Sequence, residues 1–164
     1  MSAVRHAAWS DLDPVTLHEL VRLRVDVFVV EQECPYPELD GRDVEPGTEH
    51  VWLASGDVPV AAYLRVLSEP DGSRRIGRVV TAPAARGAGL GAVLVADVLD
   101  RHGDAPLVLD AQAHLQGWYA RFGFGVDGPE FVEDGIPHVP MRREPAPAST
   151  GVGSVGRRAQ PQGS

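Results

Sequence analysis

Three glycines alternate with other residues in Arg86-Gly87-Ala88-Gly89-Leu90-Gly91, between an apolar run at residues 76–81 and a helical pattern at residues 92–99. Strand, glycine-rich turn and helix start together make an anion cradle. Glycine has no Cβ to hold a phosphate away from the backbone. The first helical turn offers unpaired N–H groups, and its dipole favours negative charge. The expected ligand is a pyrophosphate. The N–H groups of Gly87, Ala88, Gly89, Gly91 and Ala92 would hold it, with Leu90 in the same turn and Arg86 adding positive charge. A plain tight turn is the competing reading for the glycines, and a solvated surface charge for Arg86.

Pyrophosphate sites of different kinds make different demands. A nucleotide-hydrolysing P-loop needs Lys-Ser or Lys-Thr after its glycines, and here Gly91 is followed by Ala92-Val93. A Rossmann site needs its glycine turn in the first βαβ unit and an acid about 20 residues later. Asp110 stands near that distance, but a meander of strands precedes the turn. An acyl-CoA site remains. Arg86-x-x-Gly89-x-Gly91 after a strand resembles the acetyl-CoA signature of the GNAT N-acetyltransferases. A second segment, Asp110-Ala111-Gln112-Ala113-His114-Leu115-Gln116-Gly117-Trp118-Tyr119-Ala120-Arg121-Phe122-Gly123-Phe124, resembles that family's later motif. There a strand ends, a short helix carries an aromatic-Tyr pair, and Gly-Phe opens the next strand. Within the family, the ElaA-like group is matched by Phe28-Val29-Val30-Glu31-Gln32-x-Cys34-Pro35-Tyr36, Asp40-Gly41-x-Asp43 and Glu133-Asp134-Gly135-Ile136-Pro137-His138. The resemblance covers residues 4–143. One departure is Gln112, where many members carry asparagine.

The resemblance implies direct transfer of an acetyl group from acetyl-CoA to a primary amine, with both substrates bound and no metal. Pantetheine would pair with the open backbone edge at Val79, Val80 and Thr81, as an added strand, and an N–H there would meet the thioester oxygen. Gln112, Trp118 and Phe122 would border the cofactor. Tyr119 is the expected acid for the leaving thiolate, because a phenol with a pKa of about 10 is protonated at neutral pH. A helix tyrosine packed on the sheet is the other reading. Phe28, Glu31, Glu33, His114 and His138 are expected on the acceptor side. Glu33, His114 and His138 stay open as the base, as does a water held by one of them. The alternative functions are a non-catalytic acyl-CoA sensor or interaction module, and an acyltransferase using another acyl-CoA.

Acids are dense beside these residues. Glu31, Glu33, Glu38, Asp40, Asp43, Glu45 and Glu49 face one local base, Arg42, and a later loop adds Glu130, Glu133 and Asp134. Two acidic edges on one cleft would attract a cationic amine; a solvated acidic loop is the plainer reading. Cys34 reads as structural or incidental.

The elements that must position these groups follow from pattern. Residues 4–9 suggest a short strand. Asp13-Pro14 reads as a helix start, and Leu17, Leu20, Val21, Arg24, Val27 and Phe28 recur at helical spacing to about Val30. Prolines make residues 32–47 a loop. Strands are expected at 50–54 and 58–67 around Ser55-Gly56-Asp57, then at 74–81. The helix after the glycines should end near His102-Gly103. A strand at 107–111, a brief helix at 114–121, and strands at 124–126 and 138–142 complete the order. This is an α/β domain of the GNAT kind. It predicts a mixed, mostly antiparallel twisted sheet of about seven strands, splayed between the fourth and fifth, with helices on both faces.

The domain should span residues 1–143, and residues 144–164, rich in Pro, Ala, Ser, Gly and Gln, read as a disordered tail. The net charge of −8 on 164 residues argues against nucleic acid and anionic membrane as partners. The expected partner is a small-molecule or peptide amine, and a homodimer stays open. One cysteine rules out an internal disulfide, and the first residues lack the layout of a secretory signal, so a cytoplasmic location is expected.

Overall fold

The computed structural model of the protein describes residues 2–146. The tail expected at 144–164 falls outside these residues from 147 onward. Strand β1 (Arg5–Ala7) leads to helix α1 (Pro14–Arg24). The Asp13 carboxylate caps α1 by accepting from the Val15 and Thr16 N–H groups at 3.1 and 2.9 Å. The helix does not stop at Arg24 but widens into a π-helical stretch, Val25–Glu31. Strands β2 (Glu49–Ser55), β3 (Val58–Ser68) and β4 (Arg74–Thr81) form the meander. Gly56, at φ 55°, supplies the left-handed residue that the β2–β3 turn requires. Then follow α2 (Leu90–His102), β5 (Leu107–Gln112), α3 (Gln116–Ala120), β6 (Gly125–Val126), β7 (Phe131–Glu133) and β8 (Ile136–Arg143).

The sheet has eight strands in the order β1-β2-β3-β4-β5-β8-β6, with β7 also paired to β8. The eighth strand is one beyond the roughly seven expected. Phe131–Glu133 folds back on β8 through the turn at Asp134 and Gly135, whose φ angles are 53° and 76°. Three residues are too few for an alternation to show in sequence.

Every pairing is antiparallel except β4 with β5. That parallel ladder holds only at Arg74↔Leu107 and Arg75↔Val108. Beyond it the strands part, as expected, between the fourth and fifth. A bulge in β4 accompanies the parting. Tyr63↔Val80 is followed by Arg65↔Gly77, so two residues of β4 share the place of one, and Arg78 takes φ 52°. A bulge breaks the two-residue alternation and bends the strand. Ile76 and Val79 therefore both pack on the α2 side, while Val80 packs on the α1 side.

Apolar layers cover both faces. On one, Leu94, Val95 and Val98 of α2 meet Val51, Leu64, Val66, Ile76, Leu107, Leu109 and Met141. On the other, Leu20, Leu23 and Val27 meet Trp52, Val60, Tyr63, Val80 and Ala82. No described helix is long and apolar enough to cross a membrane.

Candidate active site

Pro83–Ala85 makes one 3-10 turn after β4, and Arg86 leads from it into the glycines. Gly87 and Gly89 have φ of 86° and 73°, a conformation that strains any residue with a Cβ. Gly89 caps α2 without a side-chain hydrogen bond. The first backbone bond of the helix runs from the Val93 N–H to the Gly89 carbonyl, at 3.2 Å. Among the described residues, no protein acceptor takes the N–H groups of residues 87–92. Six donors thus stand without a protein acceptor at one helix mouth. They border a hollow of about 200 Å³ lined by Thr81, Arg86, Gly87, Gly89, Leu90, Gly91, Ala92 and Trp118. Gly91 has ordinary backbone angles, and a Cβ there would lie 3.8 Å from the Trp118 ring and 3.9 Å from Thr81 Oγ1. A second hollow, of about 230 Å³, lies between the β2–β3 hairpin and the start of α2, and no charged side chain lines it.

The parted strands lead away from that mouth. Val79, Val80 and Thr81 stand on the edge of β4 beyond its last pairing with β5. Val80 is buried, and Val79 packs partly into the α2-side core. Trp118 stands against Gly91 and meets Tyr119 edge-on at 4.8 Å and Phe122 at 5.0 Å. Tyr119 is 6 % exposed, with Phe124 at 6.1 Å. Burial pushes its phenol up to about 12. Burial alone causes that shift, with no neighbouring charge or hydrogen bond contributing. The phenol therefore stays protonated across neutral pH.

The acceptor side is built by two segments distant in sequence. The π-helical end of α1 carries half-buried Phe28 and exposed Glu31, and Glu33 follows at φ 53°. The Cys34 thiol lies 3.3 Å from the Gln32 carbonyl and 3.6 Å from the Asp134 carbonyl, joining this segment to the β7–β8 turn. Cys34 is thus a structural tie. Across the sheet, Gln112 pairs with His138, and His138 with Phe131. His138 Nδ1 lies 2.7 Å from the Ile136 carbonyl, and Phe131 stacks on the ring at 5.8 Å. His114 is exposed on the turn before α3.

Glu31 and Arg86, expected on the acceptor and cofactor sides, hold each other. The guanidinium donates to both Glu31 oxygens, at 2.7 and 2.9 Å, and to the Thr81 carbonyl at 3.3 Å. The pairing keeps the Glu31 carboxyl below its ordinary range.

The acidic edge read from sequence needs correction. Six of its seven acids are paired with arginines, mostly remote in sequence. Arg24, fully buried, donates to both oxygens of Asp43, at 2.8 and 3.1 Å, and to Glu38 at 2.9 Å. Arg65 holds Asp40 at 2.7 and 2.9 Å and Asp43 at 3.1 Å. Arg78, from the bulge, holds Glu38 at 2.9 Å. Arg42 takes Glu45, Arg101 takes Glu49, and Arg86 takes Glu31. Only Glu33 makes no ion pair among the described residues. Burial pushes Asp43 up, but Arg24 and Arg65 outweigh it and its carboxyl ends lowered. The Arg65 guanidinium holds Asp40 down at about 2. His50, sealed beneath, bonds the Tyr63 hydroxyl at 2.7 Å and the Asp43 carbonyl at 2.9 Å, and burial lowers its basicity. This network straps the loop after α1 onto β3 and the bulge of β4. Its charge is satisfied internally and does not serve as an open field for a cation. One sign of it was in the sequence: Arg24 sits inside the apolar series of its helix.

The family model described as acetyltransferase (GNAT) domain matches residues 20–145. A UPF0039 protein of Mycobacterium tuberculosis is 51% identical over 144 residues, covering 86% of this chain and 92% of that protein. The crystal structure of Escherichia coli ElaA is similar at a TM-score of 0.80 and 37% identity, covering 88% of this chain and 100% of that one. An acyl-CoA N-acyltransferase from Pseudomonas aeruginosa is similar at 0.79 and 42%, covering 87% of this chain and 99% of that one.

Proposed function

The chain belongs to the GNAT acetyltransferase family and is an acyl-CoA-dependent N-acyltransferase, and from that premise we propose acetyl-CoA as its donor and a primary amine of a small molecule or peptide as its acceptor. The observation that carries this reading is the meeting of two features at one place. Six unpaired N–H groups, at residues 87–92, stand where the β4–β5 ladder has opened. A diphosphate suits the first feature and a narrow, strand-like pantetheine arm suits the second.

The roles follow from placement. The amides of Gly87, Ala88, Gly89, Leu90, Gly91 and Ala92 bind the diphosphate. Arg86 adds charge once it turns from Glu31. The backbone of Val79, Val80 and Thr81 takes the pantetheine, and Trp118, Phe122 and Gln112 border it. The amine enters from the α1 side, between Phe28, Glu31 and Glu33 and the ends of β5 and β8, where His114 and His138 stand. Its nitrogen bonds to the thioester carbon and gives up a proton to a base, the carbon–sulfur bond breaks, and the electron pair leaves on sulfur. Tyr119 supplies the proton that makes the free thiol. Its raised pKa keeps that proton available throughout the neutral range.

Thiol release from acetyl-CoA across a panel of amines tests the reading. Wild type should turn over at least one amine. Tyr119→Phe should lower kcat while leaving CoA affinity within about twofold. CoA binding without turnover of any amine would favour the sensor reading. An unchanged rate in the variant would remove Tyr119 as the acid.

A further inference from the structure

The nitrogen of an alkyl ammonium ion must shed a proton before it can attack. Three side chains near the cleft have basic atoms for this: Glu33, His114 and His138. Only one is prepared for it. His138 Nδ1 lies 2.7 Å from the Ile136 carbonyl oxygen, which can only accept, so Nδ1 carries the proton. In the neutral ring the lone pair is then fixed on Nε2. Phe131 stacks on the ring, 5.8 Å between centroids and 21° between planes, and holds its orientation. His114 is exposed and makes no hydrogen bond among the described residues, and Glu33 is exposed on a left-handed backbone residue.

The position agrees with the tautomer. Val139 and Met141 of β8 point into the α2-side core, so His138, between them and the turn, lies on the α1 face. Gln112 is its direct partner on β5. At the offset set by Arg75↔Val108, and with the two bulge residues Arg78 and Val79 filling one place, a continued ladder would bring Gln112 opposite Val80, but there the strands have parted. His138 thus stands one strand spacing, about 4.8 Å, behind the far wall of the slot. It shares the face onto which the end of α1 opens.

Building on the N-acetyltransferase reading above, we infer that His138 is the general base of the transfer. Nε2 takes the proton from the ammonium, the freed amine attacks, the acyl carbon–sulfur bond breaks, and the thiolate takes the Tyr119 proton. The nitrogen, now bonded to the acyl carbon, sheds its second proton, which restores the Tyr119 phenol, and the imidazolium returns its proton to solvent. The products are the amide, free CoA and one released proton. The titratable groups on neighbouring elements are Glu133 on β7, Asp134 in its turn, Asp110 and His114 on and beyond β5, and Glu31 and Glu33 at the end of α1. Asp110 is held by Arg75 at 3.1 Å and Glu31 by Arg86, and no carboxylate pairs with the His138 ring among the described residues.

The experiment compares wild type, His138→Gln and His138→Ala in kcat/KM against pH, with CoA affinity by calorimetry and the ring tautomer by ¹⁵N NMR of wild type. The expected results are an Nδ1–H tautomer and a fall in kcat/KM of about 100-fold in both variants. The acid limb of the profile should vanish with His138, CoA affinity should hold within about twofold, and imidazole should partly rescue His138→Ala. An Nε2–H tautomer, or a variant that keeps both rate and acid limb, overturns the assignment of His138 alone and leaves the acetyltransferase standing. Wild type that binds CoA but acetylates no amine overturns both.

Discussion

Gly91→Ala should move stability and cofactor affinity in opposite directions. Gly91 lies in the first turn of α2 with helical angles, so alanine fits the backbone without strain. Its Cβ would meet nothing closer than 3.8 Å in the protein. Replacing a helical glycine by alanine stabilises by about 0.4–1 kcal/mol, mainly by restricting the unfolded chain. In a chain of this size that raises Tm by about 1–4 °C. The same methyl projects between Trp118 and Thr81 into the hollow at the helix mouth. A diphosphate resting on the N–H groups there would be pushed off at least one of them. A hydrogen bond to a charged group is worth about 1.5–3 kcal/mol, so the Kd for CoA should rise about 10- to 150-fold. Differential scanning calorimetry and isothermal titration on one preparation read both quantities. A variant that gains stability and binds CoA as tightly as wild type would refute the placement of the diphosphate at this turn. Gly89→Ala is the matched control: φ of 73° makes it destabilising by about 1 kcal/mol, although nothing lies within 4 Å of its Cβ.

Other perturbations address the remaining parts. Tyr119→Phe should cost about 100-fold in kcat, read by thiol release at saturating acetyl-CoA. Because the folded Tyr119 titrates near 12 and an unfolded tyrosine near 10, stability present below pH 10 should decline between those values; alkaline denaturation of Tyr119→Phe should lack that component. Asp43→Asn should destabilise by about 3–5 kcal/mol in urea melts, because it leaves Arg24 and Arg65 sealed with too little compensating charge. Asp40 and Asp43 are both lowered from their ordinary values, so each adds stability that is full above about pH 4 and is lost as acid protonates it, for Asp40 as pH falls toward 2; circular dichroism against pH reads it.

Local features were legible from residue types, and features that depend on distant partners were not. The glycine turn, the Asp13 cap and the Ser55-Gly56-Asp57 hairpin each rest on a few neighbouring residues with definite backbone demands. The place of Tyr119 on a short helix beside Trp118 was legible because its motif is contiguous. The loop at residues 38–45 was read as a cation-attracting edge or a solvated acidic loop, and both readings missed its partners, because Arg24, Arg65 and Arg78 lie 14 to 40 residues away. No charge count along the chain shows such a neutralisation. Yet a buried arginine at a core position of an apolar helix must find carboxylates, and Arg24 in that series pointed toward them. The bulge at Arg78 left no mark, since no glycine signals its positive φ. The pairing of Arg86 with Glu31 joins two residues assigned to separate substrates, and only the folded chain shows them in contact.

The most direct test is a titration of the ¹⁵N-labelled protein with CoA, followed residue by residue in the amide spectrum. If the helix mouth holds the diphosphate, the largest shifts fall on residues 87–92, with a second set on Val79, Val80 and Thr81. Saturation without movement of those amides, or no binding at all, would contradict it.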